Sequence, residues 1–443
     1  MKVVICFGFV CLAASGIVSR AAPATNVAPL LSLDLARAQA LRNHPQVAAA
    51  DYRALAAQEV VRENRAGFFP AANLYGAAAL GDTDGTRITG YGLTSPRVFN
   101  KVAGGLGLTQ LLTDFGKTAN LTASSKYSAQ AEQQNAAATR EQVLLQVDEA
   151  YFGALQAQAV LQVARQTLQT RILLRDQVSV LASNQLKSQL DVSFAEVALE
   201  EGRLLEQRAR NDAAAAMASL STALGYREFR EFQLIDQASR SGASTNDVSG
   251  LVAIALRQRP ELLSLRNEQE ASHKYARAQR DARLPTLSAV GVVGGAPVRS
   301  DQLEETYAAG GVELSMPIFA GGLYLARQHE AELKASADAE LLRNLEDIVV
   351  RDVRIAWLNE NNAREQLRTT DQLLIHANEA FSLAQARYQV GSSSIVELSQ
   401  AQLELTSAQI DNVSARYDVL IQQAKLDYQI GAMNTESVAS LSP

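Results

Sequence analysis

Cysteine is nearly absent from this chain of 443 residues, and both cysteines, Cys6 and Cys11, lie close to its start. The same segment has a lysine at its beginning, an apolar run to about Val18 and small residues that offer cleavage after Ala21 or after Ala24. This pattern is typical of a secretory signal, and we predict residues 1–21 to be a signal peptide. The alternative is an uncleaved membrane anchor, but the run is short for a span of about 20 residues. An exported chain without cysteine has no disulfides, so packing or assembly must stabilise it.

Positive residues are outnumbered by acidic ones, 41 to 47, and long apolar runs are scarce. The formal net charge is −6, and it becomes −8 after the signal is removed, because Lys2 and Arg20 leave and no acidic residue does. An acidic chain is a poor candidate for nucleic-acid binding, so we expect no nucleic-acid partner. Beyond the signal, no segment approaches about 18 continuous apolar residues, which predicts no membrane-spanning helix in the mature chain.

Signals for catalysis are missing as well. The four histidines are scattered, and His329 lacks a second histidine at the spacing of a zinc protease. No Gly-x-Ser-x-Gly segment occurs to present a serine nucleophile. We therefore predict no enzyme, no cofactor and no metal site.

Proline is confined to a few places, and none occurs in residues 97–259 or 318–442. Two stretches within these ranges, 117–184 and 323–390, contain a single glycine between them and are rich in strong helix formers. Each would be about 100 Å long as one helix. Because a helix of that length has little company within one chain, it must pack against other helices, including those of other subunits. A shorter helical pattern follows each stretch, at 190–224 and 396–430.

The chain also repeats itself. ALRNHP (40–45) matches ALRQRP (255–260) at an offset of 215, and GGLGLTQLLTDFG (104–116) matches GGVELSMPIFAGG (310–322) at an offset of 206. Chance similarity of alanine-rich helices is the alternative, but offsets that hold through proline, glycine and aromatic residues favour a duplication. The first copy is nine residues longer, near 77–103. We predict a first structural repeat at 22–230 and a second at 251–431. A linker at 231–250 joins them, and a tail follows at 432–443.

Between the helical stretches lie segments of a different pattern. From Thr306 to Ile318 two faces alternate along the chain. One face is apolar, and the other is more polar and includes Tyr307 and Glu313. This is the alternation of an outer-membrane strand, which needs about 9–11 residues. Weaker versions predict two β-hairpins with four strands in all, at 70–112 and 284–318. A small soluble sheet is the alternative. Four strands cannot close a membrane barrel, so strands that cross a membrane must be pooled between subunits.

The segment VGSSSIVE (390–397) has NQLKSQLD (184–191) as its counterpart in the first repeat. A phosphate-binding loop would need a preceding strand, several glycines and a lysine after the last one, and none of these is present. A flexible linker is a second alternative. We predict a reversal between two antiparallel helices, in which Gly391 ends one helix and Ser392 to Ser394 satisfy free amides of the next.

Here the sequence resembles the TolC-like outer membrane efflux family. The resemblance rests on Arg-Tyr-x-x-Gly followed by a polar run, an apolar pair and an acid, then Ala-Gln-x-x-Leu, and on LSMPIFAGG and LTQLLTDFG at the start of the long helices. It covers about residues 30–431. It implies a mainly α fold with a β-barrel part, in which a duplicated long-helix coiled coil forms an α-barrel. Two β-hairpins per chain then contribute four strands to a trimeric 12-stranded outer-membrane β-barrel.

The resemblance also implies a function and a location. Such proteins are homotrimeric exit ducts in the outer membrane of Gram-negative bacteria, and they extend into the periplasm. They serve tripartite efflux or type I secretion systems, with a periplasmic adaptor and an inner-membrane pump as partners. The alternative is a periplasmic or secreted coiled-coil interaction protein, such as an adaptor or adhesin. Such a protein would need no lipid-facing alternation and would fractionate as soluble.

Several residues acquire candidate roles from the resemblance. The family places acids at Glu397 and three residues later, where this chain has Gln400, so three copies of Glu397 would form a negative ring at the pore constriction. The alternative is an exposed acid favoured by the start of a helix. Tyr388 and Asp191 match a polar link that holds the tip closed, with helix packing and helix capping as the alternatives. The family's basic tip residue corresponds here to Ser393.

The two hairpin loops, 184–190 and 391–396, match the region on which family adaptors dock, with a bare turn as the alternative. The predicted docking residues are Gly391, Ser392, Ser393, Gln185, Leu186 and Lys187. At the other end of the molecule, the alternation of the last strand places Glu313 toward the barrel lumen.

Overall fold

The computed structural model describes residues 29–79, 86–87, 97–98, 100–236, 247–299 and 304–433. Within these ranges the chain forms eight α-helices and eight β-strands. The predicted signal peptide and all but the first two residues of the predicted tail lie outside the described residues.

The helices form four pairs of equal length. They are α1 (Leu33–Asn43), α2 (Pro45–Ala66), α3 (Lys117–Ser183), α4 (Gln189–Ala223), α5 (Val248–Gln258), α6 (Pro260–Asp281), α7 (Leu323–Gln389) and α8 (Ile395–Gln429). α1 and α5 have 11 residues, α2 and α6 have 22, α3 and α7 have 67, and α4 and α8 have 35. The first two pairs start 215 residues apart and the last two 206 apart, which are the offsets of the sequence matches.

Each long helix follows a sharp turn at a glycine. Gly116 precedes α3 with φ +113°, and Gly322 precedes α7 with φ +84°; both values lie in the left-handed region that glycine adopts at little cost. Beyond these turns no proline interrupts the helices, so each continues for roughly 100 Å. α3 packs along α4, α6, α2 and α8, while α7 packs along α8, α6 and α5. Among the described helices, none is both long and apolar enough to cross a membrane.

Four of the eight described strands form one antiparallel sheet. The eight strands are β1 (Leu30–Leu31), β2 (Ala71–Ala79), β3 (Thr86–Arg87), β4 (Arg97–Val98), β5 (Lys101–Thr113), β6 (Gln233–Leu234), β7 (Thr286–Val298) and β8 (Thr306–Ser315). The main sheet has the order β2-β5-β7-β8, so β2 and β8 are its two edges. β8 ends at Ser315, earlier than the predicted Ile318, because Pro317 has no amide hydrogen to donate to a ladder.

Two short pairings were not predicted. β1 pairs with β6 in parallel, and β6 lies inside the segment predicted as a linker, 231–250. β3 pairs with β4 within the stretch in which the first repeat is longer than the second. A strand of two residues shows no alternation, so neither pairing has a signal in the sequence.

The register gives the main sheet two different faces. Directly paired residues point to the same side of a sheet, and Tyr75, Gly105, Gly294 and Tyr307 form one such row across all four strands. Glu313 lies on this face, since it is an even number of residues from Tyr307. The opposite face exposes apolar side chains from every strand, including Leu74, Leu106, Val293 and Leu314.

The largest buried cluster surrounds Tyr151, near the middle of α3. The Tyr151 hydroxyl lies 2.9 Å from the carbonyl oxygen of Leu31 and 2.8 Å from that of Ile235, and it donates toward both. Next to it, Arg37 of α1 forms an ion pair with the fully buried Asp148 of α3. These contacts fasten the β1–β6 pair and α1 to the long helix.

Candidate functional site at the helical tip

Both helical hairpins reverse in the same way at the end of the molecule farthest from the sheet. Gln185 has φ +62° and Gly391 has φ +79°, so both repeats place a left-handed residue directly after the long helix and its cap. In each reversal the next amide reaches back to the helix: Leu186 N donates to Leu181 O at 2.9 Å, and Ser392 N donates to Arg387 O at 2.9 Å. This pattern ends a helix with its last carbonyls satisfied, and the segment 390–397 is therefore a helical reversal, as predicted.

The short helices begin with capping residues. Ser188 Oγ accepts from Asp191 N at 3.2 Å, and the Asp191 carboxylate accepts from Ser188 N at 3.0 Å and from Ser188 Oγ at 2.9 Å. In the second hairpin Ser394 Oγ accepts from Glu397 N at 3.2 Å. Of the three serines predicted to cap this helix, only Ser394 does so. Ser392 Oγ instead donates to Arg387 O, at the end of α7.

Glu397 occupies the repeat position of Asp191 but makes different contacts. Arg387 Nη1 donates to its Oε1 at 2.8 Å, and Ser393 Oγ donates to its Oε2 at 2.7 Å. The longer glutamate side chain reaches across the reversal to the last turn of α7, whereas the aspartate stays at its own cap. One turn along α8, Gln400 Nε2 donates to Glu404 Oε1 at 2.7 Å.

Tyr388 is buried between the two hairpins, in a cluster that includes Val178, Val192, Ile395 and Leu398. Its hydroxyl has no hydrogen-bond partner among the described residues. Burial raises the pKa of Tyr388, and the negative charge of Asp191 raises it further. Within one chain the two residues are near each other, but the Asp191 carboxylate bonds to Ser188 instead of to the Tyr388 hydroxyl.

Lys187 connects the hairpins. Its Nζ lies 4.0 Å from the centre of the Tyr388 ring, which is the geometry of a cation–π contact. The sequence suggested Lys187 only as a docking residue, because nothing local links side chains that are about 200 positions apart. Arg387 was missed for a different reason. Its signal is a cation in the last turn of one helix and an acid in the first turn of the next, which a five-residue reversal brings together.

The remaining candidate residues divide between the two ends of the molecule. The reversal residues Gly391, Ser392, Gln185 and Leu186 are exposed, as a docking surface requires. Glu313 lies on β8 opposite Ser288, at the far end of the long helices. The structure therefore brings together the tip residues and places Glu313 apart from them.

Comparison with known proteins agrees with this architecture. The sequence profile of the outer membrane efflux protein family matches twice, over residues 36–226 and 251–432. The outer membrane protein TolC of Vibrio cholerae serotype O1 is 25% identical over 446 aligned positions, covering 97% of this chain and 96% of TolC.

Solved structures have the same fold. The outer-membrane channel OprN superposes with a TM-score of 0.79 at 20% identity, covering 90% of each chain. CusC superposes with a TM-score of 0.78 at 19% identity, covering 90% of this chain and 92% of CusC.

Proposed function

The chain belongs to the outer membrane efflux protein family, and from this premise we propose how its parts form a channel. Members of the family are the outer-membrane channels of tripartite efflux systems, in which an adaptor and an inner-membrane pump complete the path. They are channels and not enzymes. The sequence resemblance and the predicted location in the Gram-negative outer membrane are confirmed. The alternative of a soluble adaptor or adhesin is not favoured.

Our first proposal is that three copies assemble into one duct. The observation that carries it is the open four-stranded sheet, which has β2 and β8 as edges and an exposed apolar face. An edge strand in lipid leaves backbone amides and carbonyls unpaired, at several kcal/mol per group. Pairing β8 of one copy with β2 of the next removes every edge when three sheets close into twelve strands. Glu313 then faces the lumen, because the opposite face is the apolar one.

The helices support the same assembly. Within one chain α3 contacts both α4 and α8, so α4 and α7 lie on the outer sides of the four-helix layer. Both expose apolar side chains at helical spacing, which a neighbouring copy would cover. On α4 these are Leu190, Phe194 and Val197, and on α7 they include Leu373 and Leu383. We propose that residues 22–230 and 251–431 are equivalent repeats in this tunnel, joined by 231–250 and followed by a tail at 432–443.

We propose that the tip is the gated, partner-binding end of the tunnel. Three copies of Glu397, with Gln400 one turn farther along, form the constriction. Tyr388 and Asp191 form a gating link in the closed assembly, in which a neighbouring subunit supplies the missing partner of the Tyr388 hydroxyl. The exposed reversals dock the periplasmic adaptor through Gly391, Ser392, Ser393, Gln185, Leu186 and Lys187.

Extraction of the outer-membrane fraction in detergent tests the assembly. Light scattering should give three times the mass of one mature chain, and planar bilayers that receive the protein should show single channels. A soluble monomer or dimer without conductance would contradict the proposal and favour the interaction protein. The same detergent solution without the protein should give no channels, which controls for nonspecific bilayer leakage.

A further inference from the structure

The acid at the proposed constriction already has a cationic partner in its own chain. Arg387 Nη1 lies 2.8 Å from Glu397 Oε1, and Arg387 Nη2 lies 3.4 Å from the carbonyl oxygen of Ser392. The second carboxylate oxygen of Glu397 accepts from Ser393 at 2.7 Å. The guanidinium is therefore held at two points, and both carboxylate oxygens are occupied.

The first repeat has no such pair. The positions equivalent to Arg387 and Glu397 are Leu181 and Asp191, and Asp191 is used as a helix cap. The cation is thus specific to the second hairpin, which also carries the next acid on the same face of α8. That acid, Glu404, is seven residues after Glu397 and accepts from the neutral donor Gln400.

We propose that Arg387 is a selectivity-determining residue of the channel, because it neutralises Glu397 at the narrow end. This inference rests on the proposed function, which places three copies of Glu397 around the axis. Three Arg387–Glu397 pairs then form a ring with no net charge, instead of the negative ring that the acid alone would give. The next acid on this face of α8 is Glu404, about two helical turns deeper, and its contact is with a neutral donor instead of a cation.

The expected size of the effect follows from screened Coulomb interactions. Three unit charges at roughly 8 Å from the axis, in about 0.15 M salt, change the ratio of cations to anions on the axis about sevenfold. Both side chains are about half exposed, so water weakens the attraction between them. The two charges nevertheless stay 2.8 Å apart and cancel each other at the distance of the axis. Removing either partner alone exposes the charge of the other.

The test is a double-mutant cycle in planar bilayers. The permeability ratio of K⁺ to Cl⁻ is measured from the reversal potential in a KCl gradient for the full-length trimer and for R387Q, E397Q and R387Q/E397Q. We expect R387Q to raise the ratio about five- to tenfold, E397Q to lower it by a similar factor, and the double variant to return near the original value. R387K keeps the charge and should behave like the unaltered protein.

A matched control comes from the other end of the molecule. Arg62 forms an exposed ion pair with Glu59 on α2, whose end lies against the start of α3, far from the tip. R62Q makes the same change of charge and should leave the ratio unchanged. Light scattering of each variant confirms that it is still a trimer.

Two results would overturn the inference while leaving the channel intact. One is a ratio for R387Q within twofold of the original, which would mean that Arg387 does not reach the ion path. The other is a loss of cation preference in E397Q with no gain in R387Q, which would mean that Glu397 acts as an unpaired acid. Absence of conductance in the unaltered protein would instead contradict the proposed function, and the inference with it.

Discussion

Replacing Glu141 with glutamine should stabilise the protein above neutral pH. Glu141 lies on α3 and is only 8% exposed. Burial raises its pKa to about 7, and the negative charge of Glu261 adds to this, while Arg259 opposes it. The opposition is weak because Arg259 is engaged elsewhere: its Nη1 donates to Gln429 Oε1 at 2.9 Å, and its Nε donates to Glu261 Oε2 at 3.3 Å.

The sign of the effect follows from proton linkage. Above about pH 7 Glu141 is ionised in both the folded and the unfolded chain, and the folded state carries the full cost of a buried charge. Between about pH 7 and 4.5 the folded state holds a proton that the unfolded state lacks, so stability rises as the pH falls through this window. A shift of this size corresponds to roughly 3 kcal/mol, which solvent screening lowers to about 1–2 kcal/mol.

The measurement is thermal unfolding of the detergent-solubilised protein, followed by circular dichroism at pH 8 and pH 5. Glu141→Gln should raise the midpoint at pH 8 by about 1–3 °C for a chain of this length, and most of the gain should vanish at pH 5. Glu206→Gln is the matched contrast, because Glu206 is buried but accepts from Arg210 at 2.6 Å; this change should lower the midpoint at pH 8. A midpoint that falls for Glu141→Gln at pH 8, or an equal gain at both pH values, would refute the desolvation argument.

The two reversals and Tyr388 offer further tests. Both positions have positive φ, so Gln185→Gly should stabilise the protein by about 1 kcal/mol and Gly391→Ala should destabilise it by about as much. Chemical denaturation measures the free energy of unfolding of both variants. Changes of the same sign would contradict the backbone explanation. Tyr388→Phe removes a hydroxyl that has no hydrogen-bond partner among the described residues of one chain, so it should leave the stability of the chain unchanged. If a neighbouring subunit supplies the partner, the same change should raise the resting conductance. Unchanged conductance in bilayers would remove Tyr388 from the gating link.

The long helices could be predicted because their signal is distributed over many residues. Sixty-seven positions without proline leave little alternative to a helix, and glycines mark the turns that precede α3 and α7. The four strands of the main sheet were predictable from alternation, although the end of β8 depended on Pro317. The β1–β6 and β3–β4 pairs were not, because two residues define no period.

The sequence predicted where the tip lies along the chain, but it did not predict the side-chain contacts within the tip. The position of Glu397 followed from the family pattern, whereas its partner Arg387 depends on which carboxylate is long enough to cross the reversal. Asp191 could equally serve as a cap or as a link, and only the geometry shows that within one chain it caps α4. The contact of Lys187 with Tyr388 joins two hairpins, so it exists only once α3 and α8 have packed.

α3 and α7 are equal in length, and so are α4 and α8. The distance from the sheet to the helical tip can therefore change only by fixed increments. Both reversals must end level for the tips to meet, so a longer tunnel needs matched insertions in all four helices at once. Each insertion must also keep the seam between helices in phase, which favours multiples of seven residues, or about 10 Å. The distance from the membrane to the tip is therefore nearly fixed, and any partner that binds the tip must fit that distance.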